Sequence, residues 1–290
     1  MTKGLILLSV LFFITSTPGH TCDMHGTSGI VEENDLWLDV NHKTDNGMTE
    51  DIFNDVLDHV EELYAPIIAD RGKTLKVQRK WDDGTVNAYA QQTGNLWRIS
   101  MFGGLARHQA VTADGFALVA CHELGHHLGG LPKKRSWWGG SWASNEGQSD
   151  YFGNSKCLRK YFEKDSNIDV VAQMDVPELV SEKCMTNFTS AEEVAICERG
   201  AMAGLSLAGL FHDLRDMDEP LRFDTPDPSV VSSTDHNHPA SQCRLDTYYQ
   251  AALCGVSAYV DVSDDDATTG TCNRVARDID GLRPLCWYKP

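Results

Sequence analysis

Positive charge is scarce in this chain. Its 290 residues carry 25 Lys and Arg against 42 Asp and Glu, a formal net charge of -17. Such a surface repels phosphate backbones and anionic headgroups, so nucleic acid and lipid surfaces are excluded as expected partners. Long apolar runs are missing beyond the N-terminus. The best internal stretch, residues 201–211, is too short to span a bilayer and reads as a buried helix, so no stable membrane insertion is expected. No CxxC pair occurs among the nine cysteines, which excludes the usual zinc knuckle. There is no internal repeat and no clean linker. The acidic stretches 213–227 and 261–266 lack EF-hand spacing and read as solvated loops, with calcium the minor alternative.

What is present begins with the pattern of a secretory leader over residues 1–21. Lys3 supplies the positive region, residues 4–15 the apolar region, and Ser16, Thr17 and Gly19 the small residues near the cut. This predicts a secreted or periplasmic protein. Cysteines at 22, 121, 157, 184, 197, 243, 254, 272 and 286 then imply disulfides, with Cys272 and Cys286 expected to pair across a short segment. Asn187-Phe188-Thr189 is a glycosylation sequon. Residues 22–48 are polar and irregular and read as an N-terminal arm.

Residues 49–290 read as a single domain of the α+β class, mainly helical, with a small sheet and a disulfide-rich C-terminal segment. Thr49 caps a helix in which Ile52, Phe53, Val56, Leu57, Val60, Leu63, Tyr64 and Ile67 recur at helical spacing. Strand-like pieces cover residues 75–81, 85–90 and 96–101, with turns at Asp83-Gly84 and Thr93-Gly94. Further helices are expected from Thr112 to Gly129-Gly130, over residues 144–163, from a capping box of Ser190 and Glu193, and from Pro239 to about residue 253.

The chemistry concentrates in the helix after Thr112. His122-Glu123-Leu124-Gly125-His126 is an HExxH pattern. Positions i and i+4 share a helix face, so both imidazoles can reach one zinc ion, and Glu123 beside them can take a proton from a water. The third ligand separates the alternatives. Pro132 occupies the place where a metzincin would carry its third histidine. Asn145-Glu146-Gly147-Gln148-Ser149-Asp150 instead opens the next helix, which makes Glu146 the expected ligand. Asp150, one turn on, can hold a ligand histidine's other nitrogen or a nearby arginine. His127 points off the metal face and is expected to be exposed.

The run NExxSD resembles thermolysin-type gluzincins. Four further elements resemble the family of the HtpX heat-shock protease and the CAAX prenyl protease: Asn87-Ala88 before the motif, Gly104-Leu105 ahead of its helix, Glu146 with Asp150, and His238-Pro239 with Arg244. Together they span residues 49–255. The resemblance implies a zincin-like fold and metalloendopeptidase activity. It implies that His238 donates to the oxyanion of the intermediate, that Arg244 pairs with Asp150, and that Asn87 and Ala88 receive substrate as an added strand. The chain lacks that family's common transmembrane helices and so resembles a soluble, exported branch. Its Trp-rich loop over residues 129–142 is also unusual, and Trp137-Trp138 are read as a substrate wall over the cleft. Two other functions are carried forward: a zinc-binding chaperone or assembly factor without proteolysis, and a latent protease blocked by its own N-terminal arm.

Overall fold

The computed structural model describes residues 29–43, 46–134 and 141–290. The expected leader, Cys22 and the pair Trp137-Trp138 lie outside these residues. The described chain is α+β and mainly helical, with one three-stranded sheet.

Helix α1 (Glu50–Ala69) starts where the Thr49 hydroxyl accepts from the Ile52 N–H, and its first turn carries Glu50 and Asp51 against the helix dipole. Phe53, Val56, Leu57, Val60, Tyr64 and Ile68 form its buried stripe. Strands β1 (Thr74–Lys80), β2 (Ala88–Thr93) and β3 (Leu96–Phe102) follow. β3 lies in the centre, parallel to β1 and antiparallel to β2, which leaves β2 on an edge. β2 begins three residues later than the alternation predicts. Thr85 is taken up beforehand, its N–H and hydroxyl both bonded to Asp83 Oδ1 and its carbonyl accepting from Leu105.

After the short α2 (Gly103–Ala106) comes α3 (Ala113–Leu128), capped by the Thr112 hydroxyl. Every residue from Gly115 to Leu128 is buried, so α3 is a central helix with no solvent-exposed face over that stretch. One side packs on α1 and the sheet, where Phe116 meets Phe53 at 5.0 Å.

The next helical stretch is broken in character, where the sequence predicts one helix. It comprises α4 (Glu146–Phe152), a π-helical turn (Gly153–Leu158) and α5 (Arg159–Phe162). The turn lies against α3, and Cys157 within it is bonded to Cys121, the neighbour of His122. Helices α6 (Asn167–Val171) and α7 (Glu178–Asn187) carry too weak an apolar pattern to be expected from sequence. The Ser190 box does start α8 (Ala191–Leu214), with the Ser190 hydroxyl accepting from the Glu193 N–H. α8 has the length and hydropathy of a membrane span, but 67% of its most apolar window is buried in the protein. Helix α9 (Ser241–Leu253) begins two residues after Pro239, because Ala240 is still extended and caps it.

Eight cysteines pair: Cys121–Cys157, Cys184–Cys197, Cys243–Cys286 and Cys254–Cys272. The expected Cys272–Cys286 bond is therefore wrong. Each of the two is anchored to α9, one at Cys243 in its first turn and the other at Cys254 just past its end, so the tail is stapled along the helix. Four disulfides fit an oxidising compartment. The arm also differs from its expected form. Residues 29–43 and 46–48 are irregular, yet Ile30, Val31, Leu38 and Met48 are buried in the main core.

Candidate metal centre

Three elements meet at one point. α3 supplies His122 and His126 on one face, and α4 supplies Glu146 from its first turn. The close fit of these helices rests on Gly125. A Cβ there would come within 2.9 Å of the Ser149 backbone, so only glycine lets the two backbones approach. Asn145 caps α4 by accepting from the Gln148 N–H. Its own amide donates to Asp235 O, which ties the segment leading to His238 to the same spot.

A ligand atom each from His122, His126 and Glu146 lies within 4.8 Å of the others. Glu146 Oε2 is 3.2 Å from His122 Nε2, 3.7 Å from His126 Nε2 and 3.4 Å from His238 Nε2. Its other oxygen meets the Lys134 ammonium at 2.7 Å. No hydrogen bond reaches His126 Nε2 or either oxygen of Glu123, although all are buried. Buried polar atoms left so are uncommon; a cation held by the imidazoles and Glu146 would satisfy His126 Nε2, and a water beside it would satisfy Glu123. The donor set of two imidazoles and a carboxylate suits zinc.

The outer nitrogens are fixed. His122 Nδ1 donates to Asp150 Oδ1 at 2.7 Å, and His126 Nδ1 donates to Ser144 O at 2.8 Å with Ser149 Oγ at 3.0 Å. Both Nε2 lone pairs are thereby turned inward. Asp150 is itself held by a two-pronged bond from Arg244, at 2.8 Å to each oxygen, and by the Tyr248 hydroxyl at 2.5 Å. Burial works against the Asp150 charge, but Arg244 and His122 outweigh it and hold the carboxyl far below its usual range. Burial pushes the Glu123 carboxyl up to about 7, and the Glu146 charge adds to this against the pull of His122 and Lys134. A carboxyl poised there suits proton transfer near neutral pH.

The structure thus brings His122, Glu123, His126, Glu146, Asp150, His238 and Arg244 into one buried cluster. Asn87 and Ala88 sit at the start of the edge strand, but their polar atoms are engaged by the chain's own residues 30 and 31. His127 is not exposed, as its position off the metal face suggested. It is buried between the rings of Trp97 and Trp142, at 5.0 and 4.9 Å, and donates to Arg98 O. Burial there pushes it down to about 4, so it is neutral. Sequence reasoning missed Lys134, Ser144 and Tyr248. Only Tyr248 leaves a signal, one helical turn past Arg244. Comparison with protein-family models, with curated proteins and with solved structures returns no match.

Proposed function

We propose that this chain is a zinc-dependent endopeptidase with a zincin-like fold. In this reading it resembles the gluzincins of the HtpX and CAAX prenyl protease kind, and it acts on exported or envelope proteins. The observation that carries the reading is the convergence of His122, His126 and Glu146 beside a buried Glu123 whose oxygens have no hydrogen bond. Purely structural metal sites are usually closed by four protein ligands, whereas three ligands with an adjacent carboxylate match a hydrolytic site.

His122, His126 and Glu146 would hold the ion, which supplies an acidified water and polarises the carbonyl to be attacked. Glu123 takes the proton of the attacking water and passes it to the departing amine. His238, through Nε2–H, donates to the oxygen that becomes negative. The β2 edge at Asn87 and Ala88 aligns the peptide as an added strand. The four disulfides and the leader pattern support action outside the cytoplasm.

Elemental analysis of the purified protein should find one zinc per chain, lost in His126→Ala. Zinc retained equally by that variant would overturn the site. Asp150→Asn should lower zinc affinity about ten- to a hundred-fold, because His122 loses the charged acceptor that orients it. Competition against a chromophoric chelator measures this, and an unchanged affinity would show that Asp150 does not orient the ligand.

A further inference from the structure

Three consecutive carbonyls of the N-terminal arm are bound by groups of the proposed active site. Gly29 O accepts from His238 Nε2 at 2.8 Å. Ile30 O accepts from Arg244 Nη1 at 2.5 Å. Val31 O accepts from Asn87 Nδ2 at 3.1 Å, while Asn87 Oδ1 accepts the Val31 N–H at 3.3 Å. The Ile30 N–H completes the set by donating to Ala88 O at 3.1 Å. Downstream the arm continues antiparallel to the segment before β2, with a bridge between Trp37 and Thr85 and a bond from Leu38 N–H to Gly84 O. The segment lies along the sheet edge, and the carbonyls of Gly29 and Ile30 are bound on the catalytic side.

We propose that residues 29–31 are a tethered occupant of the substrate cleft, so that the full chain is held latent and the cleft takes extended peptides with glycine where the carbonyl meets His238. This rests on the peptidase reading. His238 is the group assigned to the developing oxyanion, and here it already holds a peptide carbonyl. The same nitrogen lies 3.4 Å from the ligand Glu146, so that carbonyl borders the metal cluster. Glycine is required at the contact: a Cβ on residue 29 would fall 2.2 Å from both Ala88 O and Asn87 Oδ1. The next residue must be apolar, since Ile30 is fully buried. A cavity of about 80 Å³ opens beside Val31, walled by Phe211, His238 and Arg244, so the outer side of this strand is not packed out. A substrate can enter this register only when the arm leaves it.

The test uses the full-length, zinc-loaded protein and a peptidyl hydroxamate, a metal-chelating extended peptide. Amide hydrogen exchange over residues 29–31 should be slow alone and at least about ten-fold faster once the hydroxamate saturates, because displaced amides lose their partners. Gly29→Val, which ejects the strand by its clash with Ala88, should bind the hydroxamate at least ten-fold more tightly. A synthetic peptide copying residues 24–36 should reverse that gain, and the same peptide carrying Gly29→Val should not. If the hydroxamate binds while residues 29–31 keep their protection, the arm is a fixed structural strand and the inference is wrong. Zinc-loaded wild type and Gly29→Val that both refuse the hydroxamate also overturn it. Absence of zinc in both overturns the peptidase reading itself, and the inference falls with it. The exchange arm needs no variant, so a poorly folding Gly29→Val does not blunt the test.

Discussion

Glu123→Gln should lower kcat/KM for peptide hydrolysis by at least about a hundred-fold while zinc content and melting temperature stay where they are. The substitution keeps the shape of the side chain and replaces the basic carboxylate with a non-basic amide. Neither carboxylate oxygen makes a hydrogen bond, so the fold loses no contact. A quenched-fluorescent peptide library, run on wild type and in the Gly29→Val background, measures the drop. If Glu123→Gln cleaves as fast as its parent, Glu123 is not the base. If it loses its zinc as well, the residue belongs to metal binding and the proposed division of roles is wrong.

The second large effect is expected at Arg244. Its guanidinium is buried, paired with both oxygens of Asp150 and stacked 4.2 Å from the Phe211 ring centroid. Arg244→Leu leaves the fully buried Asp150 with only His122 and Tyr248 to stabilise its charge. Breaking a buried pair from one side costs about 3–5 kcal/mol, which urea unfolding monitored by tryptophan fluorescence would register. Replacing both partners, as in Asp150→Leu with Arg244→Leu, should recover a large part of that loss, since no stranded charge remains. Zinc affinity should stay low in the double variant, because His122 has still lost its acceptor. A double variant as unstable as Arg244→Leu would mean that packing of the arginine stem, rather than its charge, holds the two helices.

The site was more legible in the sequence than the fold around it. His122 and His126, with Glu123 between them, lie about one helical turn apart, so the shared face of the two imidazoles follows from 3.6-residue periodicity alone. Glu146 and Asp150 are again one turn apart on the next helix, which makes them readable once the first pair is seen. His127 shows where this reasoning fails. Local periodicity places it off the metal face, but its fate is set by Trp97 and Trp142, which reach it from distant segments. The disulfides fail for a related reason. Loop length makes Cys272 and Cys286 plausible partners, whereas the run of α9 decides that they are stapled eleven residues apart, at Cys243 and Cys254. Helices α6 and α7 escape notice because they are short and bury few side chains. The arm was visible only as polar and irregular; that its few apolar residues enter the core is a tertiary fact.

The placement of the disulfides has a mechanical consequence. All four join residues between 121 and 286, so among the described residues the part that precedes α3's metal motif carries no covalent cross-link. Helices α3 to α9 and the tail form a netted half, whereas α1, the sheet and the arm are attached to it by packing, by hydrogen bonds and by the backbone. The proposed cleft runs along the seam between the two. A peptide entering the proposed cleft would therefore part the side that no disulfide crosses, while the disulfides hold the proposed metal ligands in register.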